Sequence, residues 1–203
     1  MADKEILIFV EGPSDKVFLE AYLYFLEDIP IKNFKVKDVT GKDNLSKRLL
    51  EIEKYDKTLI IFDADKDYES NKKEILSKTQ QKITEEQIFL FPNNQDDGDL
   101  ETLLLEIAKH DEFLKCFEGY LECIKSKEHY KPIKNISKSK WYAYLEVFGL
   151  ENLTKTDGKD KIKEKHKEEY EKLKEVIDFS LNSLIPLKNF LGQFAENKQK
   201  NKS

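Results

Sequence analysis

The chain has 203 residues, of which 39% are hydrophobic and 37% are charged, and its formal net charge is −5. This composition is typical of a folded globular protein and excludes a disordered chain. No apolar run approaches the roughly 20 residues of a membrane-spanning helix, and the opening "MADKEILIFVEG" does not fit a signal peptide. We therefore expect a cytoplasmic protein with no membrane partner. The spacing of Cys116 and Cys123 suits neither zinc nor a redox motif, so we expect reduced, buried thiols.

Short apolar runs alternate with helical patterns over the first 110 residues. The runs predict strands over residues 5–10, 34–40, 58–62 and 87–91. Apolar residues at helical spacing predict helices over 14–29, 43–55 and 100–110, and a polar pattern predicts a short exposed helix after residue 67. Strands joined by helical crossovers form parallel sheets that are covered on both faces. The sequence therefore predicts an α/β fold: a Rossmann-like open parallel sheet of about four strands with helices on both faces.

No strand pattern follows Phe91, and the rest of the chain predicts a helical C-terminal region. The predicted helices cover residues 111–125, 137–149, 159–179 and 186–194, of which the last is apolar enough to dock back. We therefore divide the chain into an α/β domain (1–110), a helical extension (111–194) and a disordered tail (195–203). Residues 125–140, called the basic segment below, hold six lysines and a single glutamate.

Acidic side chains follow three of the four predicted strands. Glu11 follows the first, Asp63 and Asp65 follow the third, and a group that includes Glu101 follows the fourth. In an open parallel sheet, the carboxyl ends of the strands meet at one edge, where ligands bind. Two aspartates two residues apart on an extended chain point the same way, roughly 7 Å apart along it. Carboxylate oxygens suit Mg²⁺ or Mn²⁺, so we predict that Glu11, Asp63 and Asp65 bind such an ion, with Asp67 and Glu101 as further candidate ligands.

These acids also have structural or competing interpretations. Glu11 fits a turn before Gly-Pro, the aspartates after the third strand fit acceptors of loop amides, and Asp99 fits a helix cap. A calcium-binding helix–loop–helix is excluded, because it needs glycine where Tyr68 stands and a helix where we predict a strand. A phosphatase-type aspartate nucleophile is disfavoured, because such a residue lies after the first strand of its fold and the DxD pair follows the third.

Two motifs occur in an order that a known family shares. They are a glutamate–glycine pair in "FVEGPSDKVFL" (9–19) and a DxD pair in "LIIFDADKD" (59–67). With them the chain resembles the Toprim domain, which topoisomerases, primases, OLD-family nucleases and small RNA-maturing nucleases share. The following segment, "FPNNQDDGDLETLLLEI" (91–107), is similar to a hallmark of uncharacterised bacterial and archaeal stand-alone Toprim-like proteins. The resemblance covers roughly residues 5 to 110.

The resemblance implies roles for single residues. Glu11 matches the family's general acid or base, which can also join the metal shell, and Asp63 and Asp65 match its metal-binding pair. Gly12 matches a glycine that lets the backbone approach the site closely. Asp15 matches an acid of the nuclease branch, although it also fits a residue that opens a helix. The sequence shows no tyrosine domain of topoisomerases, no zinc module of primases and no ATPase domain, which leaves the nuclease core of the OLD type.

These observations lead to a functional hypothesis of Mg²⁺-dependent phosphodiester hydrolysis on DNA or RNA, with Glu11 as the catalytic residue. The basic segment is expected to hold the nucleic acid through Lys125, Lys127, Lys131, Lys134, Lys138, Lys140 and the aromatic Trp141. The acidic net charge supports an alternative, a non-catalytic binding module that works with a protein partner or as a homo-oligomer. A small phosphate ester is a third candidate substrate, because it needs the same metal ligands.

Overall fold

The computed structural model describes residues 5–26, 31, 33–154 and 164–195. A four-stranded sheet occupies the first half of the chain, and helices form the second. The strands are β1 (Ile6–Val10), β2 (Phe34–Asp38), β3 (Lys57–Asp63) and β4 (Ile88–Phe91). The α-helices are α1 (Pro13–Phe25), α2 (Leu49–Ile52), α3 (Tyr68–Lys78), α4 (Leu100–Glu106), α5 (Asp111–Lys125), α6 (Ile136–Val147), α7 (Glu164–Val176) and α8 (Ile185–Gly192).

The four strands form one parallel sheet in the order β2-β1-β3-β4. In the register, Ile8 of β1 lies opposite Val36 and Leu59, and Asp63 of β3 lies opposite Phe91. The chain passes from β1 to β2 on one side and then crosses to β3 on the other, so the winding reverses between β1 and β3. Such a reversal opens a crevice at the carboxyl ends of the two strands. The predicted open parallel sheet is confirmed.

The side chains of each strand alternate between two hydrophobic clusters, one on each face of the sheet. One cluster contains Ile8, Leu59 and Phe89, covered by residues of α1, α4 and the C-terminal helices. The other contains Phe9 and Phe62 with residues that precede, form and follow α2 and α3, among them Leu45, Ile52, Ile75 and Ile83. Burial on both faces explains why these strands are continuous apolar runs and not alternating ones.

The segment after β2 differs from the helix that the pattern predicts over 43–55. A 3₁₀ helix spans Lys42–Arg48, and only Leu49–Ile52 is α-helical. The side-chain amide of Asn44 donates to the carbonyl four residues earlier at 2.7 Å, and such side chain–backbone bonding competes with α-helical hydrogen bonds. Leu50, one of the apolar residues whose spacing predicts this helix, is 74% exposed and does not pack in the core.

After β4, every regular element in the described part of the chain is helical, which confirms the predicted helical C-terminal region. Trp141, Leu173 and Leu187 belong to the same hydrophobic cluster as one face of the sheet, and α8 docks back as predicted. The domain boundary at residue 110 stays a prediction. Part of the predicted helix 159–179 and most of the predicted tail lie outside the described residues.

The cysteines and the helix lengths bear on two further predictions. Cys116 and Cys123 of α5 are free, as expected, but both are exposed, so the prediction of buried thiols is wrong. None of the buried residues comes from α5, because this helix lies on the outside of the C-terminal region. Within the residues described, no helix is long and apolar enough to cross a membrane.

Candidate active site

Glu11 directly follows β1, at the reversal point of the sheet. Its backbone carbonyl accepts a hydrogen bond from the Gly41 N–H at 2.9 Å. Its Oε2 atom is buried and has no hydrogen-bond partner among the described residues. Burial raises the pKa of Glu11 above its ordinary value; the nearby Lys42 ammonium opposes this rise, and the Asp65 carboxylate adds to it. A nearby cation would therefore stabilise the ionised form of Glu11, and without one Glu11 holds its proton more readily than an exposed glutamate.

Asp63 is the last residue of β3 and is only 6% exposed. Its Oδ1 accepts the Leu100 N–H at 2.9 Å, so it also anchors the start of α4. Its Oδ2 lies 3.9 Å from the Lys138 ammonium, which comes from α6. Burial, with the neighbouring Asp15 as the next cause, raises the pKa of Asp63 to about 9. The ionised form of this carboxyl group is therefore disfavoured, and a bound cation would stabilise it.

Asp15 and Glu101 complete a group of acids around Asp63. The Asp15 Oδ2 accepts the Gly12 N–H at 3.0 Å, which confirms its helix-opening role. Burial raises the pKa of Asp15 to about 7, and Glu101 and Glu11 add to the rise. Glu101 is 4% exposed, and burial raises its pKa although Lys138 opposes the shift. We call Glu11, Asp15, Asp63 and Glu101 the acid cluster.

Asp65 does not follow Asp63 into the acid cluster. The strand ends at Asp63, and Asp65 adopts a left-handed φ of +55°. Its N–H donates to the Gly98 carbonyl and the Gly98 N–H donates to its carbonyl, both at 2.7 Å. Its carboxylate is 54% exposed and pairs with Lys42 at 2.9 Å. The prediction that both aspartates point the same way is wrong, because the chain leaves the extended conformation between them.

Two other acids at this edge cap helices. Asp67 Oδ1 accepts the Ser70 N–H at the start of α3, and its predicted role as a metal ligand stays a prediction. Asp99 Oδ1 accepts the N–H and the hydroxyl of Thr102 at 2.9 and 2.7 Å, which confirms the predicted cap. Asp99 Oδ2 also accepts the Ser137 hydroxyl at 3.0 Å. This bond ties the start of α6 to the start of α4.

A cleft of about 790 Å³ opens next to the acid cluster. Asp65 and Asp67 line it from the loop after β3, and Lys134 and Lys138 line it at the start of α6. Burial alone would lower the pKa of Lys138, but Glu101 and the other nearby acids outweigh this effect and raise it. The cleft therefore presents carboxylates and a firmly protonated ammonium group to the same space, an arrangement that suits a phosphate bound through a cation.

The basic segment divides into two parts. Lys125, Lys127, Lys131 and Lys134 are exposed. Lys138 and Lys140 are half-buried, and each has an acidic partner. Lys138 faces the acid cluster, and Lys140 pairs with Glu118 at 2.9 Å. The four exposed lysines thus remain candidates for phosphate contacts, whereas Lys138 and Lys140 both have acidic neighbours within the fold.

Trp141 has a different role from the predicted one. It is 3% exposed, and its ring stacks on that of Tyr144 with centroids 5.5 Å apart. Its ring belongs to the core and is not available to bases, which corrects the prediction. Tyr130 and Tyr142 are instead exposed at 51% and 41%, and the Tyr142 hydroxyl shares a 3.1 Å hydrogen bond with Ser14.

The acid cluster offers carboxylate oxygens as possible metal ligands. Among the described residues, no three His, Cys, Asp or Glu side chains form a group arranged to hold one metal ion. Two observations nevertheless fit a cation: the buried Glu11 Oε2 lacks a donor, and burial with mutual repulsion raises the pKa of Asp15 and Asp63. Hard carboxylate oxygens are the ligands that Mg²⁺ prefers. The residues thus supply suitable donors, without a preformed coordination shell in the described part of the chain.

Two residues that sequence reasoning missed contact the site. The Lys42 ammonium donates to Asp65 Oδ2 at 2.9 Å and to Asn71 Oδ1 at 2.5 Å. Lys42 follows Gly41 after β2, so the rule that ligand-binding residues follow strand ends applies to it as well. The position of Lys42 after a strand end is therefore the signal that could have found it. Asn71 lies inside a polar helix pattern that carries no such signal.

Comparison with known proteins gives a family but no activity. A family model described as "Protein of unknown function (DUF3226)" matches residues 5–195. No curated protein matches the chain, and no solved structure does. The match covers the sheet, the acid cluster and the C-terminal helices together.

Proposed function

The chain belongs to the DUF3226 family, and we propose from the geometry of its site that it is a Mg²⁺-dependent nuclease that hydrolyses phosphodiester bonds of DNA or RNA. The acid cluster beside a lysine-lined cleft is the observation that supports this proposal most. Buried acids with raised pKa values are typical of functional sites, and here they lie beside a cleft that Lys138 lines. The Toprim-like motifs around Glu11 and Asp63 add independent support from the sequence.

In this proposal, Glu11 and Asp63 would hold Mg²⁺ (or Mn²⁺), with Asp65 as a third ligand and Glu101 and Asp67 as further candidates. A bound cation would polarise the phosphoryl oxygens and stabilise the charge that develops on them in the transition state. Coordination by these carboxylates would also relieve the repulsion that raises their pKa values. Asp15 interacts electrostatically with Asp63 and raises its pKa.

The chain's own residues would move the proton and hold the substrate. The raised pKa of Glu11 favours this carboxyl group as the one that would exchange a proton with water or a leaving oxygen. Lys134 and Lys138 line the cleft and would contact the phosphate there. The exposed lysines of the basic segment would follow the backbone further, and Tyr130 and Tyr142 would stack on bases.

Cleavage assays test the catalytic part of the proposal. Single- and double-stranded DNA and RNA are incubated with Mg²⁺ or Mn²⁺, and wild type is compared with Asp63→Asn and Glu11→Gln. We expect wild type to cut at least one polymer and both variants to cut it roughly 100-fold more slowly, or slower still. Glu122→Gln makes the same chemical change at an exposed position of α5 and serves as the matched control. Equal rates in all four proteins, or no cleavage of any polymer, would refute the nuclease.

Binding assays separate the nuclease from the alternatives. If the exposed lysines contact phosphates, the log–log salt slope of nucleic-acid affinity should be about −0.7 to −0.9 per contact. Salt-dependent binding without cleavage would identify a non-catalytic binding module. Cleavage of a phosphate monoester but of no polymer would identify the small-ester alternative.

A cytoplasmic compartment is part of the proposal, because Cys116 and Cys123 are free.

A further inference from the structure

The loop between β2 and the 3₁₀ helix is built around its attachment to Glu11. The Gly41 N–H donates to the Glu11 carbonyl at 2.9 Å, which extends the pairing beyond the end of β1. Thr40 and Gly41 both have left-handed φ values, +56° and +97°. This conformation is costly for threonine, and the Asp38 carboxylate stabilises it by accepting the N–H and the hydroxyl of Thr40 at 3.1 and 2.9 Å. The strained turn fixes the position from which Lys42 starts.

Lys42 is held by two acceptors at the site. Its ammonium donates to Asp65 Oδ2 at 2.9 Å and to Asn71 Oδ1 at 2.5 Å, and its side chain is only 12% exposed. The buried Asn71 in turn donates from Nδ2 to the Ala64 carbonyl. The network therefore binds both the carboxylate of Asp65 and the backbone just before it. Lys42 also acts on Glu11, because its charge lowers the pKa of that carboxyl group.

The backbone of Asp65 is fixed independently of its side chain. Two hydrogen bonds of 2.7 Å join it to Gly98, and its φ is +55°. The side chain is 54% exposed, so solvent leaves it room to move. The ion pair with Lys42 is thus the contact that selects the orientation of this carboxylate. Because Asp65 also acts on Glu11 electrostatically, its charge lies within range of the acid cluster.

We propose that Lys42 is a positioning residue that competes with a divalent cation for the carboxylate of Asp65. The inference rests on the proposed function, because it needs a cation at Glu11 and Asp63. A cation there gains Asp65 as a ligand when the ion pair with Lys42 opens, and the cost of opening it weakens metal binding. The site therefore binds the metal more weakly than the same carboxylates would without the charge of Lys42.

Mn²⁺ titrations followed by electron paramagnetic resonance test the competition without any substrate. Lys42→Met removes the charge and keeps most of the stem, and we expect it to tighten Mn²⁺ binding roughly tenfold, a typical coupling between two interactions at one site. Lys42→Arg restores a cation and should return the affinity to near the wild-type value. Lys66→Met, an exposed neighbour of Asp65 in the cleft, controls for the general loss of positive charge and should change the affinity less than twofold.

The route through Asp65 is tested by a double-mutant cycle. In the Asp65→Asn background, Lys42→Met should tighten Mn²⁺ binding much less, because the contested carboxylate is gone and only the effect of the Lys42 charge on Glu11 remains. An equal gain in both backgrounds would overturn the inference, as would a gain in Lys66→Met as large as in Lys42→Met. If Lys42→Met does not fold, as judged by thermal melting, Lys42→Gln removes the charge and keeps a donor for Asn71, and the same outcomes apply to it.

Failure of the inference differs from failure of the proposed function. Wild-type Mn²⁺ binding that is lost in Asp63→Asn but unchanged in Lys42→Met overturns the competition and leaves the metal site intact. No Mn²⁺ binding in wild type and Lys42→Met alike overturns both. Tightened binding in Lys42→Met, together with no cleavage of any polymer by wild type, supports the competition and refutes the nuclease.

Discussion

Replacing Asp63 by asparagine is expected to stabilise the protein at pH 8 relative to wild type, and to do so much less at pH 5. The perturbation is small in shape, because the asparagine oxygen can still accept the Leu100 N–H that Asp63 Oδ1 accepts at 2.9 Å. What it removes is a buried carboxyl group that has Asp15, Glu101 and Glu11 as neighbours.

The sign and size of this stability change follow from the pKa of Asp63, which burial raises from a value near 4 in the unfolded chain to about 9. Between these values the folded protein binds more protons than the unfolded chain, so its stability is full at low pH and falls as the pH rises. One proton corresponds to about 1.4 kcal/mol per pH unit, or on the order of 4 kcal/mol from pH 5 to pH 8. Structural relaxation around Asp63 makes the actual change smaller, and we expect Asp63→Asn to gain about 2 kcal/mol more at pH 8 than at pH 5.

The measurement is urea denaturation of wild type and Asp63→Asn at pH 5 and pH 8, in the presence of a chelator. The quantity of interest is the change, between the two pH values, in the difference of their unfolding free energies. Comparing differences removes the contribution of the titrating groups that do not interact with Asp63. Glu122→Gln, exposed on α5, should show no such change. If Asp63→Asn destabilises the protein equally at both pH values, the acid cluster does not carry the electrostatic strain described above.

Four smaller predictions concern the same edge of the sheet and its support. Mg²⁺ at 100 times its Kd should raise the unfolding free energy of wild type at pH 8 by about 2.7 kcal/mol in thermal melts, and EDTA should reverse the gain. Gly12→Ala should leave urea stability within about 0.5 kcal/mol, because an added Cβ would meet only Asp15 Oδ2 at 3.4 Å, so a fall in cleavage rate would indicate close approach of substrate. Asp99→Ala should cost about 1 kcal/mol in the same assay through loss of the cap. Trp141→Ala should cost about 3–5 kcal/mol and leave the salt slope of nucleic-acid binding unchanged.

The strands could be predicted because parallel strands that are buried on both faces are continuous apolar runs. The runs at 58–62 and 87–91 correspond to Lys57–Asp63 and Ile88–Phe91 in the structure. The position of Glu11 at the same edge as Asp63 follows from strand order alone. These are properties of local pattern and topology, which a single sequence carries.

The errors arose where long-range contacts decide the outcome. The left-handed φ of Asp65 depends on its pairing with Gly98, which is distant in the sequence. Trp141 follows a run of lysines; the helical spacing of Trp141, Tyr144 and Leu145 indicates a shared apolar face, but the packing of that face against the core depends on the tertiary structure. The contact of Lys42 with Asp65 likewise joins two loops that no local pattern relates. Side-chain direction at a site therefore needs the tertiary structure, even when the residues of the site do not.

The shared hydrophobic cluster has a consequence for how this protein can be divided. Phe89 and Leu59 of the sheet pack in one cluster with Leu173 and Leu187 of the C-terminal helices. A fragment truncated after residue 110 would present that side of the sheet to water and would lose Lys138 from beside Asp63. The motif-bearing half alone is thus a poor expression target. Recombination within the family would also have to exchange both halves of the chain together to keep the charges of the cleft balanced.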